Sequence, residues 1–255
     1  MKAVDVPGLV MGRAPDNPLA KGFYTVQEAA RLIRIGKTNR IYGWLRGYPG
    51  RKVGPLLDRD YDPLGEFEEL SFLDLMEIRL VIYFGQAGVK VRSLRIAAQQ
   101  LREEFKTTHP FALERVVLVT DKKDILLEEV FKKSADEAND PRLRSLLTKN
   151  YVMYEAIRQS LVPGVRFDPT THLAKLWHPI PKLFPDICVD PRIAYGKPAG
   201  PSRIPTAVLY DAWLAEGESV DAVAAWYELP TIEIQNAVKF EKELTHHPPM
   251  SKQRP

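Results

Sequence analysis

Only one cysteine, Cys188, occurs in the 255 residues, which excludes an intramolecular disulfide and any metal site built from several thiolates. No apolar run approaches a membrane span. Runs such as Leu80 to Phe84 are far short of the roughly 20 residues a spanning helix needs. The N-terminal stretch "MKAVDVPGLVMGRAPDNPLA" has no uninterrupted apolar core, so it does not read as a secretory leader and a cytoplasmic protein is expected. None of the five histidines (His109, His172, His178, His246 and His247) sits in HExxH spacing, and no dinucleotide- or triphosphate-type glycine loop follows a strand. No catalytic residue, metal site or cofactor is therefore expected. The most informative absence is local: from Ala29 to Leu57 there is no Asp or Glu.

That acid-free stretch is rich in the opposite sign. Arg31, Arg34, Lys37, Arg40, Arg46, Arg51 and Lys52 all fall inside it, with Tyr42, Trp44 and Tyr48 interleaved. The whole chain carries a net charge of only +3, too little to bind polyanions as a body, so the position of the charge matters more than its sum. Hydrophobic content of 45% and charged content of 27% are those of an ordinary globular chain able to bury a core.

Residues 1–20, punctuated by Pro7, Pro15 and Pro18, read as a flexible arm. Order begins at "YTVQEAARLIRIG", where Thr25 and Glu28 form a capping box and Val26, Ala29, Ala30 and Ile33 recur at helical spacing. Gly36 is expected to end that helix. "KTNRIYGWLRGY" starts a second, capped by Thr38 or Asn39, with Ile41, Trp44 and Leu45 on its apolar face. Two short helices around a tight turn are the helix-turn-helix pattern. The Gly/Pro/Asp-rich segment that follows, with apolar pieces at Val53–Leu57 and Leu70–Phe72, is expected to form a β-hairpin wing. A third helix, capped by Ser71 with Asp74 and apolar almost all round, should be buried. A fourth, with Leu94, Ala97, Ala98, Leu101 and Phe105 on one side, closes a first domain over 21–109.

Residues 110–185 suggest a middle α+β segment. "RVVLVTDKKDILLEEV" reads as a hairpin, "LRSLLTKNYVMYEAIRQSL" as a helix or a strand and helix, and "VRFDPTTHLAKLWHP" as strand-like. A proline-rich connection leads into a trihelical domain over 186–246. Its second helix is capped by Ser219 and its third by Thr231, with Glu233 and Glu241 set against Lys239 and Lys242. Residues 247–255 read as a flexible tail. The expected fold class is mainly α with small β elements, an α+β chain.

On a recognition helix the first turns reach base edges, while the preceding helix and wing touch phosphates. Helical spacing places Asn39, Tyr42 and Arg46 on one side, with Lys37 and Thr38 at the N-terminal end. Asn pairs well with adenine and Arg with guanine, each contact discriminating by about 1–3 kcal/mol. The candidate DNA-binding residues are thus Lys37, Thr38, Asn39, Arg40, Tyr42 and Arg46, with Arg51 and Lys52 on the wing. Neutralising roughly six phosphates would give a slope near −5 for log affinity against log salt. An exposed, soluble helix is the bland alternative.

The blocks "YTVQEAARLI", "TNRIYGWLR" and "SFLDLMEIRLVIYFGQAGVKVRSLRIAAQQL" together resemble the MerR-like winged helix-turn-helix. The long coiled-coil dimerisation helix and effector cysteines of that family are missing. "RIAYGKPAGPSRIPTAVLYDAWLAEGESVDAVAAWYELPTIEIQNAVKFEKEL" resembles a trihelical family known only as a domain of unknown function. Gly196, Lys197, Pro198, Ser202, Arg203, Ile204, Pro205, Ala215, Glu216, Gly217 and Ser219 carry that likeness. With "HPFA" between them, the two blocks resemble the larger VapB-type antitoxins over most of the chain.

The resemblance implies a type II toxin–antitoxin system, in which a homodimeric antitoxin binds double-stranded DNA at its own operator and neutralises a PIN-like ribonuclease toxin. Such toxins use clustered acidic residues, so the cationic tail residues Lys252 and Arg254 are candidate toxin contacts. Arg203 has two open roles: holding the "SRIP" loop through carbonyls, or reaching a phosphate or partner. Trp213 and Trp226 read as core or dimer contacts. The rival to the antitoxin is a MerR- or excisionase-like transcription regulator without a toxin. A hydrolytic site from His172, His178, Asp168 and Asp186 is a third reading, and a polar surface sheet is the favoured account of those residues.

Overall fold

Thr25 starts the first helix as its spacing predicts. Its Oγ1 accepts from the Glu28 amide at 3.2 Å while its own amide donates to Glu28 Oε2 at 2.8 Å, the reciprocal capping box. The computed structural model describes residues 21–48, 50, 53–62, 68–86, 88–114, 133, 136–137, 139 and 164–246. The arm over 1–20, Arg51 and Lys52 of the wing, the expected hairpin and ambiguous helix of the middle segment, and Lys252 and Arg254 of the tail lie outside the described residues.

Helix α1 (Val26–Ile33) stops earlier than Gly36. Arg34 takes the left-handed conformation at φ 62 instead, and the Ile35 amide closes back on the Ala30 carbonyl at 2.9 Å, a helix-ending geometry that does not require glycine when the loop fixes it. Helix α2 (Asn39–Arg46) has Thr38 as N-cap without a side-chain bond, and it buries Ile41, Trp44 and Leu45. Among the described residues the apolar pieces Val53–Leu57 and Leu70–Phe72 do not pair with each other: Tyr48 bridges Val53, whereas β1 (Tyr24–Thr25) pairs antiparallel with β2 (Glu69–Leu70). The cause is capture of the strap between them, because the Leu56 and Leu57 amides both donate to the Trp44 carbonyl, at 2.7 and 3.3 Å. Arg95 binds the Gly54 carbonyl, and Arg102 binds the Leu56 carbonyl at 2.9 Å and Asp58 at 2.8 Å.

Both arginines lie on α4 (Val91–Phe105), which follows α3 (Phe72–Gln86). Ser71 and Asp74 cap α3 reciprocally, at 2.8 and 3.1 Å. Its flanks are buried on nearly every side, as its even hydropathy requires.

The main core does not end with α4. It runs through Phe111 and Leu113 to Leu173, Trp177, Phe184 and Val189, and on to Phe240 and Leu244 of the last helix. Strands β3 (Val165–Phe167) and β4 (Ala174–Trp177) pair antiparallel with a bulge after Arg166. A second, smaller core joins α5 (Thr206–Ala215), α6 (Val220–Tyr227) and α7 (Thr231–His246) through Leu209, Trp213, Val223, Ile234 and Val238. Trp213 belongs to it, but Trp226 is 77% exposed.

Helix α7 therefore serves two cores on two faces, and the connection before α5 docks on the first helix. The Phe23 amide donates to the Tyr195 carbonyl at 2.9 Å, and the Tyr24 hydroxyl to the Gly196 carbonyl at 2.8 Å. Lys197 pairs with Glu28. Gly196 has φ 81, and a Cβ there would lie 2.1 Å from the hydroxyl of Tyr24, whose ring is fully buried and has nowhere to move. Gly196→Ala is accordingly expected to destabilise by about 2–3 kcal/mol, more than Tyr24→Phe, which gives up one hydrogen bond worth about 1 kcal/mol. Urea unfolding of the two variants checks the order.

A charged group sits inside the main core. His109 faces Asp60 across 3.2 Å through Nε2, and Glu77 and Asp74 across 3.3 and 3.7 Å through Nδ1. The Nε2 approach is close but off the hydrogen-bond line, so His109 Nε2 and Asp60 Oδ2 attract as charges without completing a bond. Burial pushes the Asp74 carboxyl up to about 7. Burial acts the same way on Asp60, but the His109 imidazole outweighs it and brings Asp60 down to about 2. For His109 burial favours the neutral ring, yet Asp60 and Glu77 hold its pKa well above the usual value.

Candidate functional site

Helix α2 presents its N-terminal turn outward because its apolar residues at 41, 44 and 45 are drawn into the core. Lys37, Asn39 and Arg40 are exposed, and Thr38 is half-buried. Among the described residues no carboxylate pairs with Lys37 or Arg40. The N-terminal peptide dipoles of α2 add to their field at the same end. Tyr42 is half-buried, and its hydroxyl accepts from Gln27 Nε2 at 3.3 Å. Tyr48 projects at the mouth of its turn, 42% exposed, with its hydroxyl over Gly43.

The other described cations of the acid-free stretch have found acids elsewhere. Arg31 binds Glu241 at 2.5 Å, and Arg34 binds Glu243 at 3.4 Å, both on α7. Arg46 pairs with Glu68 and stacks over the Tyr42 ring at 5.2 Å. Glu68 is itself buried and also receives Arg59. The stretch lacks acids in sequence, but the fold supplies them from residues 68, 241 and 243. The positive patch is smaller than the sequence suggests, and it is concentrated on the start of α2.

The other sequence candidates are dispersed. Arg203 is exposed at φ 65, and its guanidinium has no partner among the described residues. The "SRIP" loop is held instead by Glu233, whose Oε1 accepts from the Ser202 amide at 2.8 Å. Neither Glu233 nor Glu241 balances Lys239 or Lys242 as the helical spacing suggests. Glu241 is buried between Arg31 and the Thr206 hydroxyl, and Lys242 lies 4.1 Å from the Trp213 ring centroid. Each middle-segment histidine has a local partner: His172 Nδ1 sits 3.2 Å from Glu114, and His178 Nδ1 takes the Ile187 carbonyl at 3.0 Å. Asp168 caps its own turn through the Thr170 and Thr171 amides. No helix among the described residues is long and apolar enough to cross a membrane.

No family model matches the chain. It is 25% identical over 231 residues to the uncharacterized protein Rv2308 of Mycobacterium tuberculosis, covering 88% of this chain and 92% of that one. The crystal structure of Rv2018 from Mycobacterium tuberculosis superposes with a TM-score of 0.60 at 21% identity, over 88% of this chain and 98% of that chain. The architecture built here, mostly helical with two-stranded antiparallel pieces, is thus similar to one found by experiment.

Proposed function

We propose that this chain is a non-enzymatic DNA-binding protein that acts as an antitoxin, neutralising a PIN-like ribonuclease toxin and repressing its own operon. One observation carries the DNA-binding part: Lys37, Asn39 and Arg40 stand exposed, without acidic partners among the described residues, at the N-terminal end of α2. Helices α1 and α2 serve as the two helices of a winged helix-turn-helix, with the Tyr48–Val53 bridge at the base of the wing. The antitoxin part rests on the likeness of the N-terminal and trihelical blocks to VapB-type antitoxins. A homodimer fits a palindromic operator, and the exposed Trp226 lies on the trihelical unit that would carry the second subunit or the toxin.

The paired arginines change the expected salt response. With Arg31, Arg34 and Arg46 held by carboxylates, Lys37 and Arg40 remain among the described residues; counted with the sequence candidates Arg51 and Lys52 they make about four phosphate contacts and a slope near −3.5. Titration of full-length protein on its own upstream DNA at increasing salt reads this slope. Replacing Lys37 and Arg40 together by alanine should flatten it by roughly 2. An unchanged slope, or no binding by the wild type, overturns the assignment. Purification with the neighbouring gene products separates antitoxin from toxin-free regulator: a stoichiometric acidic-site ribonuclease supports the first, and a chain that shifts its DNA alone supports the second.

A further inference from the structure

His109 uses its two ring nitrogens on different partners, and this asymmetry organises the buried charged group. Nε2 faces Asp60, while Nδ1 faces Glu77 Oε2 and Asp74 Oδ1. Each of these two carboxylates is already fixed by its other oxygen. Asp74 Oδ2 accepts from the Ser71 amide at 2.8 Å, and Glu77 Oε1 from the Phe111 amide at 2.9 Å. Asp74 Oδ1 is left with no hydrogen-bond partner on a residue with 0% exposure. One oxygen of Asp74, one of Glu77 and one nitrogen of His109 all lie within 4.8 Å of one another.

We propose that Asp74, Glu77 and His109 hold a first-row divalent cation of the Zn²⁺ type through Asp74 Oδ1, Glu77 Oε2 and His109 Nδ1. Ligands at about 2.0–2.2 Å from such an ion stand roughly 3–3.5 Å apart, so a modest contraction of the trio completes the site. One imidazole nitrogen with two carboxylate oxygens suits zinc, iron or manganese better than calcium, which takes oxygen alone. Asp60 on the far nitrogen is the outer carboxylate that fixes the tautomer of a metal-bound histidine. The charge count agrees with His109 neutral, as coordination through Nδ1 requires: three acids, Asp60, Asp74 and Glu77, stand against Lys21, which lies 3.8 Å from Asp60, and a divalent ion offsets the excess. A buried oxygen without a donor is costly, and an ion removes that cost.

The three ligands are between 0% and 2% exposed, so a substrate has no access to the ion, and its fourth position would fall to water. The site is structural, joining α3 to the 109–111 turn and, through Asp60, to the strap behind α2. A cleft of about 210 Å³ lined by Lys21, Asp60, Phe72 and Leu173 reaches its outer edge at Asp60 and provides an entry path. This role is independent of the DNA-binding and antitoxin reading.

The test uses the full chain, stripped with EDTA and titrated with Zn²⁺ by calorimetry and with Co²⁺ by visible absorption. The expected result is one cation per chain, Co²⁺ d–d bands, and a higher melting temperature with metal. Asp74→Asn should abolish the binding, and Asp60→Asn should weaken it about 10–100-fold. A His246→Ala/His247→Ala pair in the tail should leave it unchanged. The wild-type cobalt spectrum decides the matter even if a core variant fails to fold. Absence of Zn²⁺ and Co²⁺ binding, or binding that disappears only with the tail histidines, overturns the proposal.

Discussion

Replacing Glu77 by alanine is expected to destabilise the chain by about 3–5 kcal/mol, a fall of roughly 10 °C or more in Tm for a protein of this size. Glu77 is fully buried on α3, where one oxygen accepts from the Phe111 amide and the other faces His109. Truncation leaves a buried amide without an acceptor and removes a carboxylate that faces His109, and neither loss can be made good by water. Glu77→Gln keeps an acceptor for Phe111 and fills the same volume, so its cost should be smaller, though still above 1 kcal/mol because the charge is gone. Denaturation in EDTA makes the comparison independent of any bound ion. If Glu77→Ala unfolds within 1 kcal/mol of wild type, the group is not a tie across the core.

Glu241→Ala is expected to cost about 2–3 kcal/mol. Glu241 is 2% exposed and accepts from both Arg31 and the Thr206 hydroxyl, so it joins α7 to α1 and to the start of α5. Arg31 is 42% exposed and can return to water. Arg31→Ala therefore harms stability mainly by leaving Glu241 buried without its cation. In Glu241→Ala the α1 amides should exchange with solvent faster, because the helix loses its tie to α7 while its own Thr25 cap is intact. Hydrogen exchange reads this directly. Protection of α1 equal to wild type would show that the α1–α7 contact rests on the Arg34–Glu243 pair and apolar packing without Glu241.

The two capping boxes were legible because each is written within four residues, Thr25 with Glu28 and Ser71 with Asp74. So was the burial of α3, which has no polar stripe to turn outward. The burial of Ile41, Trp44 and Leu45 followed from helical period alone. The partners of the two apolar pieces were not legible, because pieces flanking a Gly/Pro-rich segment look like hairpin partners and no local signal announces that the Trp44 carbonyl takes the Leu56 and Leu57 amides. Arg31, Arg34 and Arg46 counted as free cations for the same reason, since their acids lie at 241, 243 and 68. Asp60, Asp74, Glu77 and His109 share no motif spacing, and Asp74 had been fully accounted for as a cap.

By itself the sequence determined where helices start, which faces are apolar, and that positive charge is concentrated near α2, because these depend on residues a few positions apart. Only the tertiary structure decided which cations remain unpaired, where the chain's two cores divide α7, and that three acids meet one histidine in the interior. Those outcomes are set by long-range packing, which brings together groups up to 210 positions apart and leaves no local trace.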